Sequence, residues 1–190
     1  MIRSFIAFEL QNQEAIQNIT EFTDRLKKNQ SRIKPIEPEN IHLTVKFLGN
    51  INESIAPKIY KIMNSKINQK LLKNQSYHYK LKGVGNFRNY SIIWIPLRGD
   101  IEFLQQVKDT IEESLNRELK IRKDKRRKFK PHITIARLKK KRIDYNTFDS
   151  FKALIKSNKD KDFGEFIIDE IKLKKSVLTP KGPIYSDLIY

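Results

Sequence analysis

One short pattern occurs twice in this chain and strongly constrains how it can fold. His42-Leu43-Thr44-Val45 recurs as His132-Ile133-Thr134-Ile135, and these segments hold two of the three histidines in the sequence. In a β-strand, residues i and i+2 project from the same face, so each histidine would share a face with a threonine hydroxyl. The intervening apolar residues would face a core. We therefore expect two similar strands, each carrying one imidazole–hydroxyl pair.

The segments around the two motifs repeat as well. Each half of the chain reads as strand, helix, histidine strand, helix, strand, which is the order that a duplicated unit would leave. We predict an α+β fold, bilobal and pseudo-twofold, in which mainly antiparallel sheets flanked by helices enclose a central cleft. The chain would form a single two-lobed domain with approximate halves 1–88 and 89–190. The predicted helices are 12–28, 53–68, 100–119 and 144–155; the predicted strands are 2–10, 41–48, 77–87, 91–97, 132–138 and 184–190, with an extended stretch over 163–177 and a turn at 49–50.

Composition excludes several classes of protein. With 190 residues and 38% hydrophobic content, the chain can bury one core. No run of 18 apolar residues is present, and residues 1–10 read as a first strand and not as a signal peptide. The absence of cysteine excludes disulfides, thiolate catalysis and zinc–thiolate sites. We expect no metal and no cofactor, a cytoplasmic location and a monomer.

The net charge of +17 predicts attraction to polyanions, of which nucleic acid is the commonest. The densest basic stretch covers residues 120–130 and runs directly into Pro131 and His132. Lys130, at its end, is therefore a candidate substrate-binding residue. The alternative is a solvated, lysine-rich surface with no ligand.

Two histidines on facing strands suit phosphoryl transfer. Free histidine has a pKa of about 6.5, so a neutral imidazole can accept a proton from attacking water while a protonated one donates to the leaving oxygen. Attacking and leaving groups lie on opposite sides of phosphorus, so one histidine on each lobe fits the geometry. Thr44 and Thr134 could donate hydrogen bonds to non-bridging oxygens. The alternative is two ordinary strands, in which threonine is common anyway.

Three further side chains are candidates for substrate binding. Arg137 suits phosphate geometry, but a regular strand would turn it away from His132 unless a bulge intervenes. Lys46 has the same parity as His42, although a solvated lysine is an alternative. Tyr185 could stack on a base or ribose, or pack against the core. His78 lacks a threonine two residues later, and we interpret it as a surface strand residue.

The chain resembles the RNA 2′,3′-cyclic phosphodiesterases, also called 2′-5′ RNA ligase-like proteins, of the two-histidine phosphoesterase superfamily. The resemblance covers nearly the whole length and implies a bilobal fold with the cleft between the lobes. The segments that carry it are Arg3–Phe8, Asn40–Gly49, Gly83–Phe87, Phe129–Arg137 and Ser176–Tyr185.

The resemblance implies hydrolysis of RNA 2′,3′-cyclic phosphate ends to a 2′-phosphomonoester. It implies His42 as proton donor and His132 as proton acceptor, an assignment that the residues alone leave open. Reverse 2′-5′ ligation would use the same groups. Two alternatives remain: a non-catalytic RNA-binding module, which the charge would also explain, and a related phosphoesterase that acts on cyclic-phosphate nucleotides or RNA 3′ ends.

Overall fold

A computed structural model of the chain describes residues 1–73, 75–125, 128–180 and 182–190. The α-helices in this part of the chain are α1 (Gln13–Asn29), α2 (Ala56–Met63), α3 (Ile101–Leu119) and α4 (Phe148–Ser157). The strands are β1 (Ile2–Glu9), β2 (Lys34–Pro35), β3 (His42–Ile51), β4 (Tyr77–Lys82), β5 (Gly85–Phe87), β6 (Ile92–Arg98), β7 (His132–Arg137), β8 (Asp162–Ile168), β9 (Lys172–Leu178) and β10 (Pro183–Asp187). No helix in these ranges combines the length and the apolar character that a bilayer crossing requires.

The two long helices form where the sequence supplies both a cap and an apolar stripe. The Asn12 side chain accepts a hydrogen bond from the first turn of α1, and the Asp100 side chain caps α3 in the same way. Apolar residues at spacings of three and four then bury one face of each helix. Both helices lie within a residue or two of their predicted bounds.

The strands form one antiparallel sheet in the order β10-β9-β1-β3-β7-β6-β4-β8, with β2 beside β7 and β5 beside β6. At its centre, β3 and β7 pair through Leu43 and Ile133. On one side lie β10, β9, β1 and β3, which we call the β3 lobe; on the other lie β7, β6, β4 and β8, the β7 lobe. The α+β class and the antiparallel sheet are confirmed.

Each lobe draws elements from both ends of the chain. From the first half, β4 pairs with β6 in the β7 lobe; from the second half, β9 pairs with β1 in the β3 lobe. The helices follow the same rule, since α1 packs on β8 and α4, whereas α3 packs on α2 and β3. Neither half of the chain can therefore build a lobe by itself.

Several predicted boundaries are wrong for identifiable reasons. The chain does not turn at Gly49, because β3 continues to Ile51 and the glycine takes a φ of 71° within the strand. The predicted helix over 144–155 starts only at Phe148, since the Gln30 side chain binds both the backbone N–H and the carbonyl of Asp144. The helix that begins as α2 continues as a π-helix to Leu72.

Two predicted extended segments are each divided into two strands. The predicted strand over 77–87 is interrupted at Gly83, whose φ of 92° departs from extended geometry. The extended stretch over 163–177 forms β8 and β9, which belong to different lobes. Hydrophobic periodicity does not signal such a crossover, because it indicates where a strand lies in the sequence and not which strand it pairs with.

Candidate active site

The two His-x-Thr motifs meet at the centre of the sheet. Because Leu43 pairs with Ile133 in an antiparallel register, His42 comes opposite Thr134 and His132 comes opposite Thr44. The local twofold axis passes through the Leu43–Ile133 pair. Diagonal neighbours in such a ladder are separated by roughly 7–8 Å, which leaves room for one phosphate between the two imidazoles.

Both imidazoles are held in one orientation by the same local hydrogen bond. Nδ1 of His42 lies 2.7 Å from the carbonyl oxygen of Asn40, and Nδ1 of His132 lies 2.6 Å from that of Lys130. A carbonyl oxygen only accepts, so in each ring Nδ1 carries the hydrogen and Nε2 is the nitrogen left to exchange a proton with a ligand. Both rings line one cleft between the lobes.

The threonine hydroxyls lie in the same cleft wall. Thr44 and Thr134 are half-buried and border the cleft together with the two histidines. Within the described ranges, neither hydroxyl has a hydrogen-bond partner in the protein, so both can donate to a ligand. A pair of hydroxyls at this position can stabilise negative charge on a phosphate between the imidazoles.

Both histidine strands carry a bulge at the fourth residue of the motif. In β3, Ala7 of β1 pairs with Thr44 and Ile6 pairs with Lys46, so Val45 is left without a partner. In β7, Trp94 pairs with Thr134 and Ile93 with Ala136, which skips Ile135 in the same way. Each bulge adds one residue and therefore reverses the alternation of the side chains that follow it; in β3 the reversal extends as far as a second bulge at Leu48.

The bulge in β7 turns Arg137 into the cleft. Without it, the odd spacing from His132 would place this guanidinium on the opposite face. With it, Arg137 is exposed in the cleft wall and its charge acts on both His42 and His132. Arg137 is thus positioned to bind a phosphate that both histidines reach.

The equivalent bulge in β3 corrects the prediction for Lys46. Its side chain turns inward and is buried, with Nζ 3.0 Å from Glu112 of α3 and 3.0 Å from Asp124. Lys46 therefore cannot contact a substrate in the cleft. Phe47, the next residue, faces the cleft instead and is 68% exposed, so the two lobes present a phenyl ring and a guanidinium at equivalent positions.

Aromatic rings pack around each histidine but differ between the lobes. The His42 ring contacts Phe5 at a centroid distance of 4.9 Å and Tyr185 at 5.4 Å. The His132 ring contacts Phe87 at 5.1 Å and Trp94 at 5.7 Å. Tyr185 lines the cleft, and burial raises the pKa of its phenol, so it remains protonated at neutral pH.

Gly85 lies so close to the Trp94 ring that its position has no space for a side chain. A Cβ on Gly85 would lie 2.4 Å from the indole of Trp94, which stacks on Phe87 at 4.8 Å. We expect Gly85→Ala to displace this aromatic pair and the His132 ring that packs on it, at a cost of about 1–3 kcal/mol in the free energy of unfolding. The urea concentration at the unfolding midpoint and kcat/KM on a cyclic-phosphate substrate should both fall.

A substitution at Gly49 provides the control for Gly85→Ala. Gly49 has open space around its Cα and a left-handed φ, which asparagine tolerates better than most residues. Gly49→Asn should therefore cost less than about 1 kcal/mol and should leave turnover unchanged. Equal losses at Gly49 and Gly85 would contradict the role of the Trp94 contact.

The cleft has a volume of about 890 Å³ and a basic rim. Lys130, the candidate from the basic stretch, is among the residues that line it, whereas Arg126 and Arg127 of that stretch lie outside the described residues. Sequence reasoning missed Phe47, Phe87 and Arg88, which also line the cleft. A regular alternation from His42 places Phe47 on the opposite face, so the bulge prevented its prediction. Phe87 follows Gly83 and Gly85, and this glycine-containing segment could have indicated it. His78 is exposed and pairs with Glu165, away from the cleft lining.

The cleft lowers the pKa of both histidines. Burial lowers the pKa of His42 below its ordinary value of 6.5, and Lys174 and Arg137 lower it further against the opposing effects of the Asn40 carbonyl and Glu9. Burial and Arg137 likewise lower the pKa of His132. Both imidazoles are therefore mainly neutral at pH 7 in the free protein.

Comparison with known proteins identifies the family. A family model described as "AKAP7 2′5′ RNA ligase-like domain" matches residues 4–186. The RNA 2′,3′-cyclic phosphodiesterase of Methanocaldococcus jannaschii is 36% identical over 97% of this chain and 96% of its own length. The RNA 2′,3′-cyclic phosphodiesterase of Archaeoglobus fulgidus is 32% identical over 83% and 82%.

Solved structures share the fold at lower identity. The E. coli LigT structure in its apo form has a TM-score of 0.70 at 19% identity and covers 99% of this chain and 95% of its own. TT0787 of Thermus thermophilus has a TM-score of 0.69 at 24% identity, with coverages of 99% and 96%. The family model covers residues 4–186, and a curated relative is 36% identical over 97% of this chain. The chain therefore belongs to the AKAP7 2′5′ RNA ligase-like domain family.

Proposed function

We propose that this protein hydrolyses the 2′,3′-cyclic phosphate end of RNA to a 2′-phosphomonoester without a metal ion. The observation that carries the proposal is the diagonal placement of the two His-x-Thr pairs, with each Nδ1 hydrogen-bonded to a carbonyl and each Nε2 available. The names of the curated relatives support the same reaction. Solved complexes of E. coli LigT with 3′-AMP and with phosphate support a ligand of this type.

The proposed mechanism divides the work between the lobes. His132 Nε2 accepts a proton from water as the water oxygen attacks phosphorus. His42, in its protonated form, donates a proton from Nε2 to the ribose 3′ oxygen as the P–O3′ bond breaks. One P–O bond forms and one breaks, and the 2′ ester remains. The family resemblance supports this assignment of acid and base. Ligation would use the same groups if the 5′-hydroxyl of a second RNA attacked the cyclic phosphate in place of water, because breaking the P–O3′ bond would then leave a 2′-5′ linkage.

The other site residues bind and orient the substrate. Thr44 and Thr134 donate to the non-bridging oxygens, and Arg137 neutralises their charge. Tyr185 and Lys130 contact the terminal nucleotide from opposite lobes. We propose that the chain works as a single two-lobed domain, as a monomer, in the cytoplasm, where it would meet RNA ends.

Turnover of an oligonucleotide that ends in a 2′,3′-cyclic phosphate tests the proposal. In EDTA, the wild-type protein should convert the cyclic end to a monoester, which gains a negative charge and migrates faster in a gel. The alternative, a non-catalytic RNA-binding module, is motivated by the net charge of +17. It predicts salt-dependent binding with no change in the RNA.

The lowered histidine pKa values predict the pH profile. The general acid must be protonated, and its pKa lies below 6.5 in the free protein. The plot of kcat/KM against pH should therefore decline on its alkaline side with an apparent pKa below 6.5. Because the Arg137 charge lowers the pKa of both histidines, Arg137→Ala should move both limbs of the profile to higher pH while lowering the maximum. Limbs that stay in place or move to lower pH would contradict this electrostatic role.

A further inference from the structure

The described residues of the loop between α3 and β7 are attached to α3 at three points. We call its described residues, 121–125 and 128–130, the basic loop. At each attachment a polar side chain of α3 bonds to a backbone group of the loop. The contacts are Asn116 Nδ2 to the Ile121 carbonyl at 3.1 Å, the Asp124 N–H to Glu112 Oε1 at 3.0 Å, and the Phe129 N–H to Gln105 Oε1 at 2.7 Å. These described residues of the loop are therefore held in one position beside the cleft.

A buried ion network reinforces the middle attachment. Lys46 of β3 and Lys108 of α3 each bind both Glu112 and Asp124 at distances of 2.6–3.0 Å. Lys46, Lys108 and Glu112 are buried. Burying such ions costs several kcal/mol each, and apolar residues of similar size are often at least as stabilising. What the network does provide is a fixed position for Asp124 relative to the catalytic strand.

A second cation is placed by an unusual backbone turn. Arg88, Asn89 and Tyr90 have φ values of 51°, 50° and 63°, three successive non-glycine residues in the left-handed region. Each costs about 1–2 kcal/mol, offset in part by a hydrogen bond from the Tyr90 N–H to Asn86 Oδ1 at 3.2 Å. Strain of this kind persists only where the surrounding structure enforces it, and it clusters at active sites and at sites that hold ligands. The turn sets Arg88 in the cleft wall, as the basic loop sets Lys128 there.

These two cations exceed what the reacting phosphate requires. Arg137 already acts on both histidines, so the terminal phosphate has its cation. The cleft volume of about 890 Å³ is near the upper end of the roughly 300–1,000 Å³ typical of pockets that enclose one small ligand. Arg88 and Lys128 therefore have space and charge for a second phosphate group.

We propose that Arg88 and Lys128 form a subsite for the backbone phosphates that precede the cyclic end, and that the Lys46–Lys108–Glu112–Asp124 network is the positioning device for Lys128. The substrate is then an RNA strand, in preference to a cyclic mononucleotide. The proposal rests on the proposed function and adds the residues that would bind the RNA strand beyond its reacting end.

Kinetics on two substrates with the same terminal base test it. We would measure kcat/KM for a 2′,3′-cyclic mononucleotide and for a tetranucleotide with a 2′,3′-cyclic end, over a range of salt concentrations. The ratio of kcat/KM for the tetranucleotide to kcat/KM for the mononucleotide should exceed ten at low salt and should decline as the salt concentration rises. Arg88→Ala and Lys128→Ala should each lower the ratio about three- to tenfold and reduce the salt slope by about 0.7. Lys58→Ala, which removes an exposed charge from α2, should change neither.

Asp124→Asn distinguishes the positioning of Lys128 from general electrostatic attraction, because the two predict opposite changes in the kcat/KM ratio of tetranucleotide to mononucleotide. The substitution removes a negative charge, so electrostatic attraction alone would raise the ratio. Loss of positioning would lower it, and the double variant D124N/K128A would then lose no more than K128A does. Thermal unfolding establishes that each variant is folded, and K128A leaves the network intact. A ratio near one in the wild type, or a higher ratio in D124N, would overturn the inference. Failure to hydrolyse either substrate would overturn the proposed function instead.

Discussion

Alanine at His42 or at His132 is expected to lower kcat/KM on a cyclic-phosphate oligonucleotide by about 10²–10⁴-fold, the usual contribution of one general acid or base. The two rings lie diagonally across one pair of strands, and in the proposed mechanism they act on the same phosphorus. Their effects should therefore not add, and the double variant should be little worse than either single one. Rapid-quench measurement of product formation gives the rates.

The third histidine supplies the control for these variants. His78 lies exposed on β4 and pairs with Glu165, so His78→Ala should leave turnover unchanged. Binding of uncleaved RNA by each inactive variant would show that the cleft is intact. If one of the two cleft histidines can be replaced with less than a tenfold loss, acid–base catalysis by the pair is wrong.

Among the substitutions considered for stability, Lys46→Ala should have the largest effect, lowering the free energy of unfolding by about 3–5 kcal/mol. The substitution leaves Glu112 buried with one cation in place of two and removes the hydrogen bond from Lys46 Nζ to the Arg122 carbonyl at 3.1 Å. Equilibrium denaturation in urea, with turnover measured in parallel, provides the comparison.

A second variant distinguishes uncompensated charge from lost packing. In K46M/E112Q, two opposite charges are removed together and Lys108 still faces Asp124. Part of the lost stability should therefore return relative to Lys46→Ala. Lys80→Ala, at an exposed position on β4, should change the free energy of unfolding by less than about 0.5 kcal/mol. A similarly small effect of Lys46→Ala would contradict the buried network.

The placement of the two His-x-Thr pairs was predictable from the sequence because it depends on the alternation of one short segment. His42 and Thr44 precede the bulge in β3, and the regular period of two applies to them. Beyond the bulge the same rule fails. Lys46 was assigned to the cleft and lies in the core, whereas Arg137 could reach the cleft only through the bulge that the structure contains.

The crossing of elements between lobes could not be predicted. Alternation and helical spacing locate strands and helices, but they do not say which strands pair. Asn18 of α1 binds the carbonyl of Phe163 in the β7 lobe, a contact between distant parts of the sequence that no local pattern encodes. The repeat in the sequence is therefore visible, although the repeat units are interleaved in space.

The two halves of the cleft are not chemically equivalent, despite the repeat. Two positions after each bulged residue, the β3 lobe presents Phe47 and the β7 lobe presents Arg137. One side of the cleft therefore suits an apolar or aromatic part of a ligand, and the other suits its phosphate. This difference gives the two histidines distinct surroundings and is consistent with one serving as acid and the other as base.

The most direct test of the central claim is phosphorus NMR of the product that the wild-type protein forms from a 2′,3′-cyclic-phosphate oligonucleotide in EDTA. We expect the cyclic phosphate resonance to be replaced by that of a 2′-phosphomonoester, with the chain length unchanged. A 3′-phosphomonoester, a shortened RNA or a persistent cyclic phosphate would contradict the assignment of the two His-x-Thr pairs to this reaction.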